Sequence, residues 1–237
     1  MIKALLFDLD DTLYPEKEFA YSGFKAASHA VAGRLHISES SLYHKLVEIF
    51  EKGIRGKVFD VALLEIGVSP LKELISEMVD IYRAHIPEIE VYPDVLTFLP
   101  HFRERYKLGL ITDGYAEVQR RKVEALGIKY LFDMLLFTDD FSQENWKPSS
   151  LPYQLALKKL CISPKEAIYI GDNPYKDFIG AKELGLITVR LRREGAEYEK
   201  VRLDSFSEAD IESRTLEELN RVLTKLGKDK SKRARPQ

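Results

Sequence analysis

Residues 7–14 read FDLDDTLY and place three acids within four positions, at the end of the first apolar run of the chain. That run, Ile2–Leu9, has the length and apolar character of a buried parallel strand. Residues two apart in a strand share a face, so we expect Asp8 and Asp10 to converge at its carboxyl end. Clustered acids repel one another unless a cation is present, which favours Mg²⁺, a hard cation that prefers carboxylates and water.

Outward from this segment, further short apolar runs also read as buried strands. Gly, Asp or Pro residues bound each run, and helical patterns lie between them. Alternation of strand and helix predicts an α/β fold with a Rossmann-like parallel sheet. The runs are Leu108–Thr112, Met134–Thr138, Ala167–Gly171 and Leu186–Arg190.

The segment from about residue 16 to residue 90 has a different pattern, with four amphipathic helices and no convincing strand. We therefore predict a core domain formed by residues 1–14 and 92–226, with a helical domain at 15–91 inserted between its first two strands. An insertion at that point is predicted to lie over the carboxyl edge of the sheet, where open α/β folds bind ligands.

Composition excludes several classes of protein. The 237 residues include 36 Lys and Arg against 38 Asp and Glu, so no global basic field attracts nucleic acid. The one cysteine, Cys161, rules out an internal disulfide, and no apolar run approaches the roughly 20 residues that span a bilayer. We expect a cytoplasmic protein with no nucleic-acid or membrane partner. Its basic tail, residues 227–237, is predicted to be disordered.

Polar residues also follow the later strands. Thr112-Asp113-Gly114 can form an anion cradle from a hydroxyl and turn amides, although Thr112 could equally cap a helix. Lys147 could neutralise an anion if its loop returns over the strand ends, or it could be a surface charge. Asp172 and Asp177 could cap the next helix, but capping does not explain why such residues follow three separate strands.

Together these residues resemble the haloacid dehalogenase (HAD) superfamily at all four of its motifs. The first motif is similar to residues 8–12, the second to Thr112, the third to Lys147, and the fourth to Gly171-Asp172 with Asp177. The resemblance covers roughly residues 1–226. It implies the HAD fold, with the helical insertion as a type-1 cap domain.

The resemblance also implies a mechanism. Asp8 would be the nucleophile that forms an aspartyl-phosphate, and Asp10 would protonate the leaving oxygen and later activate water. Mg²⁺ would be held by the carboxylates of Asp8 and Asp172 and by the backbone carbonyl of Asp10.

The remaining candidates would surround the substrate. Asp177 would position Lys147 or a metal-bound water, and Tyr14 would form part of the pocket wall. The residues implied to bind the phosphoryl group are Leu9, Thr112, Asp113 and Lys147.

The most consistent interpretation is a Mg²⁺-dependent phosphatase for a small phosphorylated metabolite, acting as a monomer or homodimer. Dehalogenating members of the superfamily lack an acid at the position of Asp10, so this residue favours phosphoester chemistry. Nucleotides, phosphoglycolate-like acids and sugar phosphates remain open as substrates. The alternatives are a phosphosugar mutase that uses the same intermediate and a catalytically silent binding protein. A response-regulator receiver ranks lower, because its phosphorylated Asp follows a later strand.

Overall fold

The computed structural model describes residues 1–233, with side chains through Lys225. The chain forms two compact units. The first comprises residues 1–16 and the chain from Glu90 onward, and the second is Lys17–Ile89. The sequence predicted the insertion at 15–91, so the two divisions differ by two residues at each end.

The first unit is built on a six-stranded parallel sheet in the order β3-β2-β1-β4-β5-β6. The central strand β1 is wholly buried because it has neighbours on both sides, with Phe7 in register with Leu110 of β2 and Ile170 of β4. This is the predicted α/β fold with a Rossmann-like core. The strands are β1 Ala4–Phe7, β2 Lys107–Thr112, β3 Met134–Phe137, β4 Ala167–Gly171, β5 Ile187–Leu191 and β6 Ile211–Ser213.

The first and last strands differ from the sequence predictions. β1 ends at Phe7, not at Leu9, so Asp8 and Asp10 lie in the loop that follows it. Asp11 in this loop has a φ of 52°, which turns the chain away from the sheet direction. Strand alternation therefore does not place these two acids, and their side chains have different partners: Asp8 bonds to Lys147, and Asp10 bonds to Tyr14, Gln119 and Lys122. β6 was not predicted, because three residues of the sequence Ile-Glu-Ser carry no periodic signal.

The second unit contains the four helices predicted between residues 16 and 90. They are α1 Glu16–Ala32, α2 Glu39–Glu51, α3 Val58–Glu65 and α4 Lys72–Ala84. Ser38 caps α2 by accepting a hydrogen bond from the Ser41 amide. Buried apolar side chains from all four helices, including Phe24, Leu46 and Met78, form a core within this unit. The insertion therefore has its own hydrophobic core.

The first unit closes on itself at the point of insertion. The amide of Tyr92 donates to the carbonyl of Leu13 over 2.9 Å, so the chain returns next to the segment where it left. The helices of this unit are α5 Val95–Arg103, α6 Ala116–Ala125, α7 Leu151–Leu160, α8 Ile179–Glu183 and α9 Leu216–Arg233.

Helix α9 runs into the segment 227–237, for which the sequence predicts disorder. At its start, the Thr215 hydroxyl accepts from the Glu218 amide at 3.1 Å. It then continues to Arg233, through most of the segment predicted to be disordered. Lys and Arg are good helix formers, so a basic segment can extend a helix that is already nucleated. Residues 234–237 lie outside the described part of the chain. No helix of residues 1–233 is long and apolar enough to cross a membrane.

Gly180 allows α8 to approach the loop that carries Lys147. A Cβ atom at this position would lie 2.3 Å from the backbone carbonyl oxygen of Pro148, and a backbone atom cannot move aside as a flexible side chain can. We expect Gly180→Ala to lower the free energy of unfolding by about 1–3 kcal/mol, as overpacking does in well-packed interiors. Urea denaturation measures this loss.

Gly33→Ala is the matched control, because a Cβ at Gly33 would meet no atom within 4 Å. We expect it to change stability by no more than about 0.5 kcal/mol. Equal losses for the two variants would contradict the steric explanation for Gly180.

Candidate active site

The carboxyl edge of the sheet brings together residues that are far apart in sequence. Asp8 follows β1, Thr112 ends β2, and Asp172 follows β4, so three adjacent parallel strands deliver them to the same edge. Asp177 lies between β4 and α8. Oxygen atoms of Asp8, Asp172 and Asp177 lie within 4.8 Å of one another, and all three residues are buried.

Lys147 supplies a positive charge to this cluster. Its loop leaves the region of β3 and enters α7, and its side chain is fully buried. The ammonium donates to Asp8, to Asp177 Oδ1 at 2.8 Å and to the Tyr169 hydroxyl at 2.9 Å. The sequence left open whether this lysine is a surface charge, and the structure answers that it is an interior ion-pair partner.

Asp177 is held rigidly at its end of this ion pair. Its Oδ2 accepts from the Asn173 amide at 2.9 Å, and its backbone carbonyl accepts from the Tyr153 hydroxyl at 2.7 Å. Tyr169 donates to Oδ1, the same oxygen that receives Lys147. Of the two roles implied by the resemblance, this geometry supports the positioning of Lys147.

Burial and charge act against each other in this ion pair. Burial alone would lower the pKa of Lys147, but Asp177 and Asp8 outweigh it and raise that pKa well above its usual range. Burial would raise the pKa of Asp177, but Lys147 and Lys176 hold it below the usual value. Burial raises the pKa of Asp8 to about 7, against the opposing effect of Lys147. In this group, Asp8 is therefore the carboxyl whose ionised form is disfavoured by burial.

The charge distribution fits a divalent cation. The pKa of Asp172 is raised well above its usual range by burial and by its neighbours Asp177 and Asp8. Lys147 pairs directly with Asp8 and Asp177, and the charge of Lys176 also acts on all three carboxylates, yet the pKa values of Asp8 and Asp172 remain raised. Carboxylate oxygens are the ligands that Mg²⁺ prefers, and such an ion would offset the repulsion that the raised pKa values reflect.

Thr112 has the features of a hydrogen-bond donor that awaits a ligand. Its hydroxyl oxygen is buried and has no partner within the described part of the chain. Buried hydroxyls are normally satisfied, so an orphaned one at a sheet edge indicates a ligand position. The capping alternative for Thr112 is not observed, because α6 begins only at Ala116.

Asp113 and Leu9 have different surroundings: the side chain of Asp113 makes polar contacts, and that of Leu9 is buried. Asp113 Oδ1 accepts from the Thr138 hydroxyl at 2.8 Å and from the Lys147 amide at 3.2 Å, which ties together the loops after β2 and β3. Its Oδ2 lies 3.3 Å from the Lys176 ammonium. Asp113 therefore acts as a structural anchor here. The side chain of Leu9 is completely buried, which leaves its backbone as its contribution to the site.

Asp10 and Tyr14 interact directly. Tyr14 is completely buried, and its hydroxyl donates to Asp10 Oδ1 at 2.5 Å, so it contacts this acid where the sequence analysis expected a pocket wall. Gln119 and Lys122 of α6 also donate to the Asp10 carboxylate. Burial would raise the pKa of Asp10, but the charge of Lys122 and the hydrogen bonds from Lys122 and Tyr14 lower it.

Sequence reasoning missed four residues that contact the site. Tyr169 could have been identified from the sequence, because alternation along β4 places it on the same face as Gly171 of the fourth motif. Lys176 lies within that motif and could have been noted as a second cation. Gln119 and Lys122 lie inside α6, outside every motif, and only the structure brings them to Asp10.

Comparisons with known proteins agree with this geometry. The model of the haloacid dehalogenase-like hydrolase family matches residues 5–191. This chain therefore belongs to the haloacid dehalogenase-like hydrolases, and it is an enzyme of that family.

Individual relatives are similar over most of their length. Several of them are named glyceraldehyde 3-phosphate phosphatase, and two of these are described here. The one from Methanopyrus kandleri is 36% identical over 200 residues, covering 81% of this chain and 85% of the relative. The one from Methanocaldococcus jannaschii is 32% identical over 234 residues, covering 97% and 100%. The crystal structure of a HAD phosphatase from Thermococcus onnurineus superposes with a TM-score of 0.62 at 28% identity, covering 94% of this chain and 98% of that one.

The raised pKa of Asp8 predicts a pH dependence of stability in metal-free solution. The pKa of the folded Asp8 carboxyl is about 7, whereas the usual pKa of an exposed aspartate, as in the unfolded chain, is 3.8. Between these values the folded state binds the additional proton, so the contribution of Asp8 to stability falls as the pH rises from about 4 to about 7. We expect Asp8→Asn to remove this decline, which is on the order of a few kcal/mol. Urea denaturation of both proteins across this range measures the difference.

Glu144→Gln provides the control, because it neutralises an exposed carboxylate of the same unit. Its stability should run parallel to that of the wild type. Added Mg²⁺ should reduce the decline in the wild type, since the ion favours ionised Asp8. Identical pH profiles for wild type and Asp8→Asn would refute the prediction.

Proposed function

We propose that this hydrolase is a Mg²⁺-dependent phosphatase that cleaves the phosphomonoester of a small metabolite through an aspartyl-phosphate on Asp8. The observation that carries the proposal is the meeting of Asp8 with the buried Lys147 ammonium and the acids Asp172 and Asp177. A carboxylate nucleophile beside a fixed cation suits the transfer of an anionic group, which depends chiefly on positioning and charge stabilisation. The names of the two archaeal relatives support the same reaction class.

In the first step a carboxylate oxygen of Asp8 attacks phosphorus, and the bond from phosphorus to the leaving oxygen breaks. Asp10 in its protonated form gives a proton to that oxygen, so the product leaves as an alcohol. The negative charge of a bound phosphoryl group would oppose the Lys122 charge that favours ionised Asp10 in the unliganded protein. In the second step water attacks the phosphorus of the aspartyl-phosphate, and Asp10 takes up a proton from it. Inorganic phosphate is released, and Asp8 and Asp10 return to their starting states.

Lys147 and Thr112 are the protein groups that would hold the phosphoryl oxygens. Asp177 keeps the lysine in place, and the unpartnered Thr112 hydroxyl is available to donate. The carboxylates of Asp8 and Asp172 and the carbonyl of Asp10 would hold Mg²⁺. When bound, the ion supplies positive charge that neutralises the phosphoryl oxygens.

The names of the relatives support a substrate class. Both archaeal relatives are named for a three-carbon sugar phosphate, which favours a small sugar phosphate over a nucleotide for this chain. We further propose that the helical insertion, residues 15–91, serves as the cap that selects the substrate. The described contacts include none that favours the mutase over the phosphatase, so the mutase enters only as an outcome of the test.

Phosphate release from a panel of sugar phosphates, phosphoglycolate-like acids and nucleotide monophosphates tests this proposal. We expect wild-type release that requires Mg²⁺, and Asp8→Asn should reduce it by about 10³-fold or more, because the nucleophile is lost. Glu144→Gln should retain wild-type rates. Substantial metal-dependent release by Asp8→Asn would refute the proposal, and interconversion of sugar phosphates faster than phosphate release would indicate a mutase.

The hydroxyl of Thr112 provides a second test. Thr112→Val keeps the shape of the side chain and removes the donor, so we expect kcat to fall by about 10²–10³-fold, as for other donors to a developing charge. Thr112→Ser keeps the hydroxyl and should retain most of the activity. Comparable losses in the two variants would show that packing, and not the hydrogen bond, is what matters at this position.

A further inference from the structure

Lys176 brings a second ammonium group to the candidate site, and the proposed phosphatase mechanism gives it no role. Its Nζ lies 3.3 Å from Oδ2 of Asp113, and its charge acts on the carboxyls of Asp8 and Asp177. The Lys176 side chain is 31% exposed, whereas the Lys147 side chain is fully buried. Of these two lysines, Lys176 is therefore the one that is open to solvent.

The two lysines also differ in how far their N–H donors are used. An ammonium has three donors, and all three donors of Lys147 bond to acceptors within the protein. Lys176 forms an ion pair with Asp113 without a hydrogen bond, since Oδ2 of Asp113 has no hydrogen-bond partner. Among residues 1–225, whose side chains are described, no other acceptor takes a hydrogen bond from Lys176. Lys176 can therefore donate to a ligand without giving up a hydrogen bond within the protein, which Lys147 cannot.

The positive charges of Lys147 and Lys176 repel each other. Burial and the charge of Lys147 would lower the pKa of Lys176, but Asp8 and Asp113 outweigh them and raise it above its usual value. Both lysines are therefore charged. A bound anion would offset the repulsion between two neighbouring cations. The acids of the site act against an anion, so we expect its binding to require Mg²⁺ as well.

We propose that the Lys176 ammonium binds the phosphoryl group of the substrate directly, together with Thr112 and Lys147. A phosphoryl group has three strong acceptor oxygens, and the Thr112 hydroxyl supplies one donor. Hydrogen bonds between an ammonium and phosphate are roughly twice as strong as those between neutral groups. The flexible stem of a lysine allows the ammonium to move from Asp113 to a phosphoryl oxygen. This inference rests on the proposed function, which supplies the phosphoryl ligand.

Calorimetric titration of the whole protein with inorganic phosphate at saturating Mg²⁺ tests this assignment. We expect Lys176→Met, which keeps an apolar stem and removes the ammonium, to weaken phosphate binding by about 10–100-fold, as for other hydrogen bonds to charged groups. Lys176→Arg retains a cationic donor and should recover most of the affinity. Lys158→Met removes an exposed lysine of α7 and should bind phosphate as the wild type does.

Mg²⁺ binding distinguishes direct contact with the ligand from a structural role of Lys176. Removal of a positive charge near the acids should leave Mg²⁺ binding by Lys176→Met, titrated without phosphate, unchanged or tighter. Weaker binding of both Mg²⁺ and phosphate would show that the site has lost its structure, and would overturn the inference. If Lys176→Met does not fold, as judged by circular dichroism, Lys176→Gln takes its place with the same expected results.

Phosphate binding that is equal in Lys176→Met and in the wild type, or that the wild type lacks, would also overturn the inference. Turnover judges the proposed function separately. If the wild type releases phosphate from substrates and Lys176 has no effect on phosphate binding, the proposed function stands without this inference. If phosphate binding depends on Lys176 but no substrate is turned over, the anion site stands and the proposed function is overturned.

Discussion

The buried ion pairs of Lys147 with Asp8 and Asp177 tie the loops of this site to one another. Asp8 comes from the loop after β1, Asp177 from the segment after β4, and Lys147 from the loop before α7. Three buried carboxylates would be strongly unfavourable without a cation, since removal of one partner from a buried pair typically costs about 3–5 kcal/mol. The Lys147 ammonium that stabilises the folded loops therefore also lies beside Asp8, where positive charge would favour an anionic substrate.

Much of the fold could be predicted from sequence because its signals are local. The five longer strands are short apolar runs bounded by Gly, Asp or Pro, and the four helices of the insertion have clear periodicity. The strand ends were less predictable, because hydrogen bonding across the sheet decides them. β1 stops at Phe7 although Leu9 is equally apolar and equally buried. The Ile-Glu-Ser sequence of β6 has no signal of its own, and pairing with β5 creates the strand.

The residues of the candidate site also differ in how far the sequence predicts them. Asp8, Lys147, Asp172 and Asp177 stand in recognisable motifs, and the structure brings all four together. The partners of these residues come from tertiary packing, which leaves no short-range pattern. Lys122 is 112 residues from Asp10 and lies on a helix whose sequence looks like an ordinary exposed one. The position of Tyr14 after the first motif does not reveal that its side chain is buried and that its hydroxyl donates to Asp10.

The hydrogen bond between Tyr92 and Leu13 has an evolutionary consequence. It joins the two ends of the insertion within the first unit, so the sheet is complete whatever the chain does between them. The helical unit also has its own hydrophobic core, so much of its packing lies within the unit itself. A segment that leaves and re-enters its host domain at neighbouring points is a position at which chains tolerate exchanged sequence, so we expect proteins with the same sheet to differ most here.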